Sequence, residues 1–211
     1  MDPVIEISQL SRRFGTKQAL SSVTLSLPRG GVYGLVGANG AGKTTLIKHL
    51  LGLLKAQQGS VRVLGLDPVA DPVRALSRMG YLSEENDLPG WMSVDELIRY
   101  TRAFYPAWDD AYAEELRQRF ALDPAARIQS LSKGQKARAG LLVALAYRPE
   151  LLILDEPSAG LDDAAIVILN DILQTLKRAG RTTVLMVTHD LEQVRGVVDE
   201  VTVLERRTVR A

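Results

Sequence analysis

The chain has 211 residues, of which 46% are hydrophobic and 24% are charged, a balance typical of a folded domain with one sizeable core. Its 26 basic and 25 acidic residues leave a formal net charge of +1, so the composition carries no electrostatic footprint for nucleic acid, and we expect no nucleic-acid partner. The absence of cysteine excludes disulfides, zinc thiolate sites and thiol catalysis, and no apolar run reaches the ~18 to 20 residues that cross a bilayer.

The first 85 or so residues predict β-strands around one strong helix. Short apolar runs bounded by polar turns are typical of strands. They are VIEI (4–7), VTLSL (23–27), VYGLV (32–36), SVRVL (60–64) and GYL (80–82). A periodic apolar pattern over 43–54 predicts the helix.

The stretch GANGAGKTT (37–45) joins the strand VYGLV to that helix. Glycines at such a junction let the backbone curl and turn its N–H groups inward, next to the positive end of the helix dipole. The spacing G-x-x-x-x-G-K-[ST] is matched by Gly37, Gly42, Lys43 and Thr44. This loop predicts a binding site for a nucleoside triphosphate with Mg²⁺.

The middle of the chain changes to helical patterns, without a convincing strand. Ser93 and Glu96 form a capping box, which marks the start of a helix. Helices are predicted over 93–104, over 109–120 and from Ser132 to Pro149.

Strands return as LLILD (151–155), TTVLMVT (182–188) and EVTVL (200–204), with helices predicted between them. Fully apolar strands that alternate with helices predict a mostly parallel sheet covered on both faces. The expected fold class is α/β: a P-loop nucleotide-binding core with a mostly parallel sheet, an N-terminal antiparallel β portion and an all-helical insertion. We expect one domain, with a core at 1–87 and 149–211 and a helical subdomain at 88–148.

A magnesium triphosphate needs hard oxygen ligands, and LLILDEP supplies carboxylates where a buried strand ends. Asp155 is predicted to hold Mg²⁺ through water, together with the hydroxyl of Thr44. Glu156 is predicted to orient or deprotonate the attacking water. The alternative is that both carboxylates cap the next helix, although Pro157 breaks the local pattern immediately after them.

The two histidines of the chain receive different interpretations. His189 follows the strand TTVLMVT, either as a capping or packing residue, or as an imidazole that bonds the γ-phosphate and the attacking water. His49 lies inside the helix after the glycine loop, and we interpret it as structural.

The motif LSKGQ (131–135) opens a helix shortly before LLILDEP, and here essentially the whole chain resembles the ATP-binding-cassette (ABC) ATPases. GANGAGKTT is similar to their phosphate loop, LSKGQ to their signature motif, LLILDEP to their magnesium strand, and SAGLD (158–162) to their D-loop. The resemblance implies catalytic roles for Lys43, Glu156 and His189, and magnesium ligation by Thr44, Asp155 and Glu84. It also implies ATP contacts by Phe14, Gly37, Ala38, Asn39, Gly40, Ala41, Gly42, Lys43, Thr44, Thr45, Ser132, Lys133, Gly134, Gln135 and Asp162.

This resemblance further implies a mechanism that one chain cannot complete. Two ATPase subunits, identical or different, close head to tail, and each ATP lies between the Lys43 loop of one chain and the Ser132 helix of the other. The Ser132 hydroxyl and the Gly134 N–H would add donors for the γ-phosphate. ATP and Mg²⁺ are the implied cofactors. A separate membrane permease is the implied partner, which would hold the chain at the cytoplasmic inner face of the cell membrane.

Two positions depart from the family pattern. Glu84 stands where the switch loop usually has glutamine, with Glu85 as the alternative for that position and a solvated loop pair as the structural alternative. Lys133 replaces a glycine of the signature motif, where it faces either the phosphates of the partner or water. Both departures resemble the drug- and peptide-export branch, in which the ATPase pairs with a separate permease.

Three expectations remain. The permease would dock near EENDLPGWM (84–92), with Trp91 and Met92 as contact residues or, alternatively, buried under the helical subdomain. The final ERRTVRA has no glycine turn, and we expect no ligand-sensing tail. The competing functions are a soluble ABC-type ATPase and a slowly hydrolysing ATP-binding signalling module.

Overall fold

The computed structural model describes residues 2–85, 87–159, 161–190, 192, 196–205 and 208–210. Its elements in chain order are β1 (Ile5–Phe14), β2 (Lys17–Leu27), β3 (Val32–Val36), α1 (Lys43–Leu50), β4 (Gln58–Val63), α2 (Pro72–Leu76), β5 (Met79–Leu82), α3 (Val94–Arg102), α4 (Asp110–Arg119), α5 (Lys133–Leu145), β6 (Leu151–Asp155), α6 (Asp163–Ala179), β7 (Thr183–Thr188), β8 (Glu200–Glu205) and β9 (Thr208–Arg210). A 3₁₀ turn at Ile128–Ser130 precedes α5.

The strands form two sheets of different kinds. A three-stranded antiparallel sheet has the order β2-β1-β4. A six-stranded sheet has the order β5-β6-β7-β3-β8-β9, in which all neighbours run parallel except β8 and β9. The strands β3, β6 and β7 are buried at every position, as expected where both faces are covered. The predicted α/β class, with its parallel core sheet and N-terminal antiparallel portion, is confirmed.

Alternate residues of the central strands supply two cores on opposite faces of the parallel sheet. Leu152 and Leu154 of β6 belong to the core shared with α3, α4, α5 and α6. Leu151 and Ile153 belong to the core shared with α1 and the antiparallel sheet. This alternation follows from the two-residue period of a strand. The phosphate-loop helix and the helical segment therefore cover different faces.

Between β5 and β6, the regular elements among the described residues are all helical: α3, α4, the 3₁₀ turn and α5, joined by loops. The predicted capping box of Ser93 with Glu96 is present at α3, and a second one, which was not predicted, joins Ser132 and Gln135 at α5. An all-helical insertion is therefore correct, while its exact limits at 88 and 148 remain a prediction. Within the described ranges, none of the helices is both long enough and apolar enough to span a bilayer.

The sequence-based boundaries were wrong at α1. The predicted helix at 43–54 ends at Leu50. Gly52 has a φ of +70°, and a Cβ there would lie 2.2 Å from the carbonyl oxygen of Pro68, so the chain turns away at this glycine. Leu53 is consequently exposed instead of continuing the apolar face of the helix.

Other elements were missed or fall outside the described residues. The strand predicted at 4–7 extends to Phe14 as β1, and the short helix α2 begins behind an Asp71 cap that the pattern did not reveal. The strand β9 pairs with β8 although no glycine turn announces it. The helix predicted between β7 and β8 falls in part on residues that the structure does not describe.

Candidate functional site

The loop 37–42 runs from β3 into α1 and depends on glycine at two places. Gly42, the N-cap of α1, has a φ of 110°, and a Cβ there would lie 2.6 Å from the carbonyl oxygen of Ala19. A Cβ on Gly37 would lie 2.6 Å from the carbonyl oxygen of Leu204. The loop is therefore packed between β2 and β8. The first turn of α1 carries no acidic residue and no side-chain cap, so its N–H groups and dipole favour an anion.

Lys43 is the buried cation of this loop, with 8% of its surface exposed. Its Nζ donates to the carbonyl oxygen of Gly37 at 2.7 Å and lies 3.6 Å from Oε1 of Glu156. The ammonium group thus sits between the glycine loop and the carboxyl end of β6. Its positive charge lies next to the first turn of α1, where an anion is already favoured.

Glu156 directly follows β6 and is held by three neighbours. Its φ of +48° lies in the left-handed region, which costs a residue other than glycine about 1 to 3 kcal/mol. The Thr188 hydroxyl donates to Oε2 at 2.8 Å, and Nδ1 of His189 donates to Oε1 at 2.8 Å. With Lys43 beside Oε1, the carboxylate has a fixed orientation at the end of the sheet. We infer that the strained backbone is retained because it aims this carboxylate.

Asp155 is the buried carboxylate next to Glu156. Burial, then the charges of Glu84 and Glu156, raises the pKa of Asp155 from 3.8 to about 6, against the opposing effect of Lys43. Its side chain has no hydrogen bond to any other described residue. A carboxylate that is buried among other carboxylates is stabilised by a divalent cation. The residues present therefore fit a magnesium ion.

The protein alone supplies only part of such a coordination shell. Asp155, Glu84 and the hydroxyl-bearing Thr44 line the same cavity, of about 220 Å³. Among the described residues there is no group of three or more His, Asp or Glu that could hold a metal ion. Mg²⁺ usually keeps several waters and binds through one or two carboxylates plus substrate phosphates. The donor set suits an ion that arrives with a nucleotide.

Most of the predicted site residues meet in that one cavity. The predicted residues that line it are Phe14, Asn39, Gly40, Gly42, Lys43, Thr44, Thr45, Glu84, Asp155 and Glu156. Gly37, Ala38 and Ala41 line a neighbouring depression beside β8. Of the two candidates for the switch-loop position, Glu84 lines the cavity and Glu85 does not.

The signature-motif residues do not reach the cavity of their own chain. Ser132 caps α5: its hydroxyl accepts from the N–H of Gln135 at 3.2 Å. Ser132 and Lys133 are exposed, and Gly134 is buried at the first turn of the helix. Asp162 caps α6 by accepting from the N–H of Ala165 at 2.8 Å. None of these residues lines the cavity around Lys43.

Phe14 ends β1 at the rim of the cavity, where the guanidinium of Arg12 lies 4.7 Å from the centre of its ring. Lys17 and Ala19 also line the cavity, and Thr188 bonds Glu156, although no sequence pattern pointed to these three residues. Thr188 could have been found from its position in the sheet, because it ends β7, the strand next to β6.

The two candidate permease contacts, Trp91 and Met92, differ in exposure to solvent. Trp91 is 69% exposed, whereas Met92 is 4% exposed and belongs to the core of the helical segment. Met92 as a surface contact is therefore wrong, because its side chain is buried in that core. His49 is fully buried in α1, with Nδ1 2.8 Å from the carbonyl oxygen of Thr45.

A parallel sheet, a glycine loop at a helix N-terminus, a buried lysine and paired carboxylates together define a P-loop nucleotide-binding protein. Comparison with known proteins narrows this class. A profile of the ABC transporter family matches residues 20–159. The chain belongs to the ABC transporter family, as an ATP-binding subunit.

Individual relatives agree with the family profile. The ABC transporter ATP-binding protein YdbJ of Bacillus subtilis, itself uncharacterised, is 31% identical over 100% of this chain and 69% of its own length. The daunorubicin resistance ATP-binding protein DrrA3 of Streptomyces coeruleorubidus is 34% identical over 100% of this chain and 68% of its own length. A solved structure described as the ATP-binding subunit of an ABC transporter superposes with a TM-score of 0.91 at 29% identity, over 99% of this chain and 88% of that one.

Proposed function

We propose that this chain binds and hydrolyses ATP with Mg²⁺ and that it drives a separate membrane permease through ATP-dependent head-to-tail dimerisation. The observation that carries the proposal is the meeting of Lys43 and Glu156, 3.6 Å apart, in a cavity that also holds Phe14, Thr44 and Asp155. A phosphate cradle, a cation, a candidate base and an aromatic ring are the parts that hydrolysis of a nucleoside triphosphate needs.

Each side chain has a distinct role in this proposal. The loop N–H groups and Lys43 bind the β- and γ-phosphates, and Phe14 stacks on the base. Thr44, Asp155 and Glu84 hold Mg²⁺, which neutralises charge on the phosphates when it is bound. Phosphate oxygens then replace Glu156 as the partner of Lys43. This exchange frees Glu156, still oriented by Thr188 and His189, to accept a proton from water.

Dimerisation is supported by where the signature motif lies. Ser132 and Lys133 are exposed at the N-terminus of α5 but do not line the cavity of their own chain. A second copy related by a two-fold axis would bring its own α5 N-terminus to this cavity and contribute the same residues in return. The γ-phosphate would then bind two helix N-termini at once.

Three exposed aromatic side chains support a protein partner on the helical segment. Trp91, Tyr100 and Phe104 are 69%, 51% and 62% exposed, and the last two rings contact each other edge to face. Aromatic side chains are enriched in the energetically important parts of interfaces. We propose that the permease docks here, and that it holds the chain at the cytoplasmic face of the membrane.

We further assign the chain to the drug- and peptide-export branch. The assignment is supported by Glu84, by Lys133 and by the similarity to a relative named for daunorubicin resistance. It concerns the kind of transporter and does not name the molecule that is carried.

The test of the ATPase is the substitution Glu156→Gln, which removes the base and keeps the size of the side chain. We expect phosphate release to fall at least ~100-fold, since general-base catalysis contributes roughly that factor or more. We also expect ATP to shift the variant from monomer to dimer in light scattering. The matched control is Glu150→Gln, a carboxylate at the opposite end of β6, which should hydrolyse ATP like the wild type.

An unchanged hydrolysis rate in Glu156→Gln would remove Glu156 as the base.

The proposed binding to a permease is tested by affinity capture from membranes of the source organism, with the Trp91→Ala variant alongside. Recovery of one integral membrane protein by the wild type, and its loss with Trp91→Ala, is expected. Recovery of soluble partners alone would favour a soluble ABC-type ATPase.

A further inference from the structure

A second cavity, of about 380 Å³, lies beside the last turn of α1 and shares no lining residue with the nucleotide cavity. Its walls come from His49, from residues 54–56, from residues 59–62 of β4 and from residues 67–70. This volume is within the range of small-molecule binding sites. None of the roles described above uses this cavity.

His49 lines this cavity, and its ring carries an acceptor atom that has no hydrogen-bond partner among the described residues. The ring is 1% exposed, and Nδ1 lies 2.8 Å from the carbonyl oxygen of Thr45. A carbonyl oxygen only accepts, so Nδ1 carries the hydrogen and Nε2 of the neutral ring is an acceptor. Burial lowers the pKa of His49, which favours that neutral ring. Nε2 is one of three buried side-chain polar atoms without a hydrogen-bond partner among the described residues, and such an atom calls for a donor.

Among the other lining residues, the charged ones are two basic and one acidic. Lys55 and Arg62 are exposed at the cavity and contribute two positive charges. Asp67 contributes one negative charge, and its Oδ1 already accepts from the N–H groups of Val69 and Ala70 at 2.9 and 3.3 Å. A complementary ligand therefore has an anionic group for the basic side chains and a hydroxyl donor for His49.

We propose that this cavity binds a small organic anion that carries hydroxyl groups, such as a sugar acid, and that its binding is coupled to the nucleotide site. Two contact routes connect the cavities. The His49 ring bonds the carbonyl of Thr45, and Thr45 lines the nucleotide cavity. The Lys55 carbonyl accepts from Arg12 at 3.1 Å, and Arg12 lies over the ring of Phe14. Only the coupling rests on the proposed function; the binding does not.

The two histidines of the chain make histidine-selective ¹⁵N NMR a direct test, because His189 serves as an internal reference. The probes are gluconate, sorbitol (its uncharged counterpart) and hexanoate (a carboxylate of equal length without hydroxyls). We expect gluconate to shift the His49 ring signals with a Kd of about 1 mM, in keeping with the modest affinity per atom of such ligands. Sorbitol and hexanoate should bind at least ~10-fold more weakly, because sorbitol lacks the anionic group and hexanoate lacks the hydroxyl groups.

The variant Arg62→Ala should raise the Kd for gluconate at least ~10-fold, while Arg99→Ala, an exposed arginine on α3, should leave it unchanged. Equal shifts of the His49 signals with all three probes would overturn the site, and so would an unchanged Kd for gluconate in Arg62→Ala. Both results are expected if none of the probes binds specifically beside His49. Saturating gluconate should change the Kd for ATP at least ~3-fold in the wild type and not in Arg62→Ala. A saturating shift at His49 with the same Kd for ATP would overturn the coupling. Failure to bind ATP at all would instead contradict the proposed function.

Discussion

At the scale of the residue, the orientation of Glu156 depends on one buried hydroxyl group. Thr188 is fully buried and donates to Oε2, the carboxylate oxygen that does not face His189 or Lys43. The substitution Thr188→Val keeps the shape and removes the donor. We expect kcat to fall about 10-fold, equivalent to about 1.4 kcal/mol of transition-state stabilisation, with the Kd for ATP unchanged. Single-turnover hydrolysis and equilibrium ATP binding measure the two quantities.

The control for Thr188 lies at the other end of the same strand. Thr183 is equally buried, and its hydroxyl accepts from the N–H of Gly30 at 2.9 Å, away from the cavity. Thr183→Val should lose stability and keep kcat, and Thr188→Ser should restore most of the activity. If Thr188→Val and Thr183→Val lower kcat equally, Thr188 acts through general stability and does not position Glu156.

Phe14 is the second residue whose role a single substitution can isolate. Its ring is 45% exposed at the rim of the cavity, so truncation leaves no buried hole. If the ring stacks on the base, Phe14→Ala should weaken ATP binding by about 1 to 3 kcal/mol, as for base–aromatic stacking elsewhere. Fluorescence titration with an ATP analogue measures the Kd. Phe104→Ala, at an exposed aromatic residue just after α3, is the matched control, and equal affinities in both variants and the wild type would remove Phe14 from the site.

At the scale of the element, β6 carries carboxylates of opposite character at its two ends. Glu150 precedes the strand and accepts from Arg78 at 2.5 Å and from Arg29 at 2.8 Å. The hydrogen bond from Arg78, followed by the one from Arg29, lowers the pKa of Glu150 from 4.5 to about 2. At the other end the pKa of Asp155 is raised, by burial above all. The strand is thus anchored by its amino end and carries unfavourable charge at the end that faces the cavity.

These two shifts predict opposite pH dependences of the free energy of unfolding in metal-free buffer. Between about pH 4 and 6 the folded chain holds the Asp155 proton more tightly than the unfolded chain, so stability falls as pH rises through this window. The ionised Glu150 stabilises the folded chain above about pH 4.5, and this stabilisation is lost as pH falls toward 2. Urea denaturation from pH 2 to 8 in EDTA measures both effects.

The variants at the two ends of β6 separate these effects. Asp155→Asn should lack the fall between pH 4 and 6 and exceed the wild type in stability above pH 6. Glu150→Gln should lose on the order of 1 kcal/mol at pH 7, because the pair is partly solvent-exposed, and should lose less than the wild type on acidification. Parallel profiles for Asp155→Asn and the wild type would show that the Asp155 charge carries no unfavourable interaction in the folded chain.

The elements also differ in how far the sequence alone predicts them. The central strands and the capped helices were predictable, because burial on both faces gives continuous apolar runs and a capping box is a local signal. The end of α1 was not predictable, because the turn at Gly52 depends on the close approach of Pro68, which is distant in sequence. The strand β1 was underestimated, because its second half, SRRF, is polar and is stabilised by pairing with β2 and β4.

At the scale of the whole molecule, the site could be located from the sequence because parallel strands end at one edge. The loop after β3, Glu84 after β5, Asp155 in β6 and Thr188 in β7 meet there by topology alone. The sequence did not predict which residues interact directly, such as Lys43 with Glu156, since side-chain geometry depends on packing. It also could not reveal the second cavity, whose walls come from separate segments.

The arrangement of the whole molecule makes a last prediction, because no single chain brings Ser132 to Lys43. If ATP binds between two chains, Lys43→Ala and Ser132→Arg should each abolish hydrolysis. A mixture of the two variants should recover about a quarter of the wild-type rate: half of the dimers are mixed, and each mixed dimer has one of its two sites intact. Steady-state ATPase assays of the variants, alone and at equal concentration, measure this recovery.

Controls make this complementation specific to the head-to-tail arrangement. The double variant with both substitutions in one chain, mixed with inactive Lys43→Ala, should recover nothing, because every site then lacks Lys43. Replacing Lys136, one turn along α5, with arginine should leave hydrolysis unchanged. This control tests whether an arginine on this helix is inhibitory in itself. If the mixture of Lys43→Ala and Ser132→Arg stays inactive while each variant still binds its wild-type partner, both residues act within the same site of one chain and the head-to-tail dimer is wrong. Recovery near a quarter would assign the two halves of each site to different chains, as the exposed N-terminus of α5 leads us to expect.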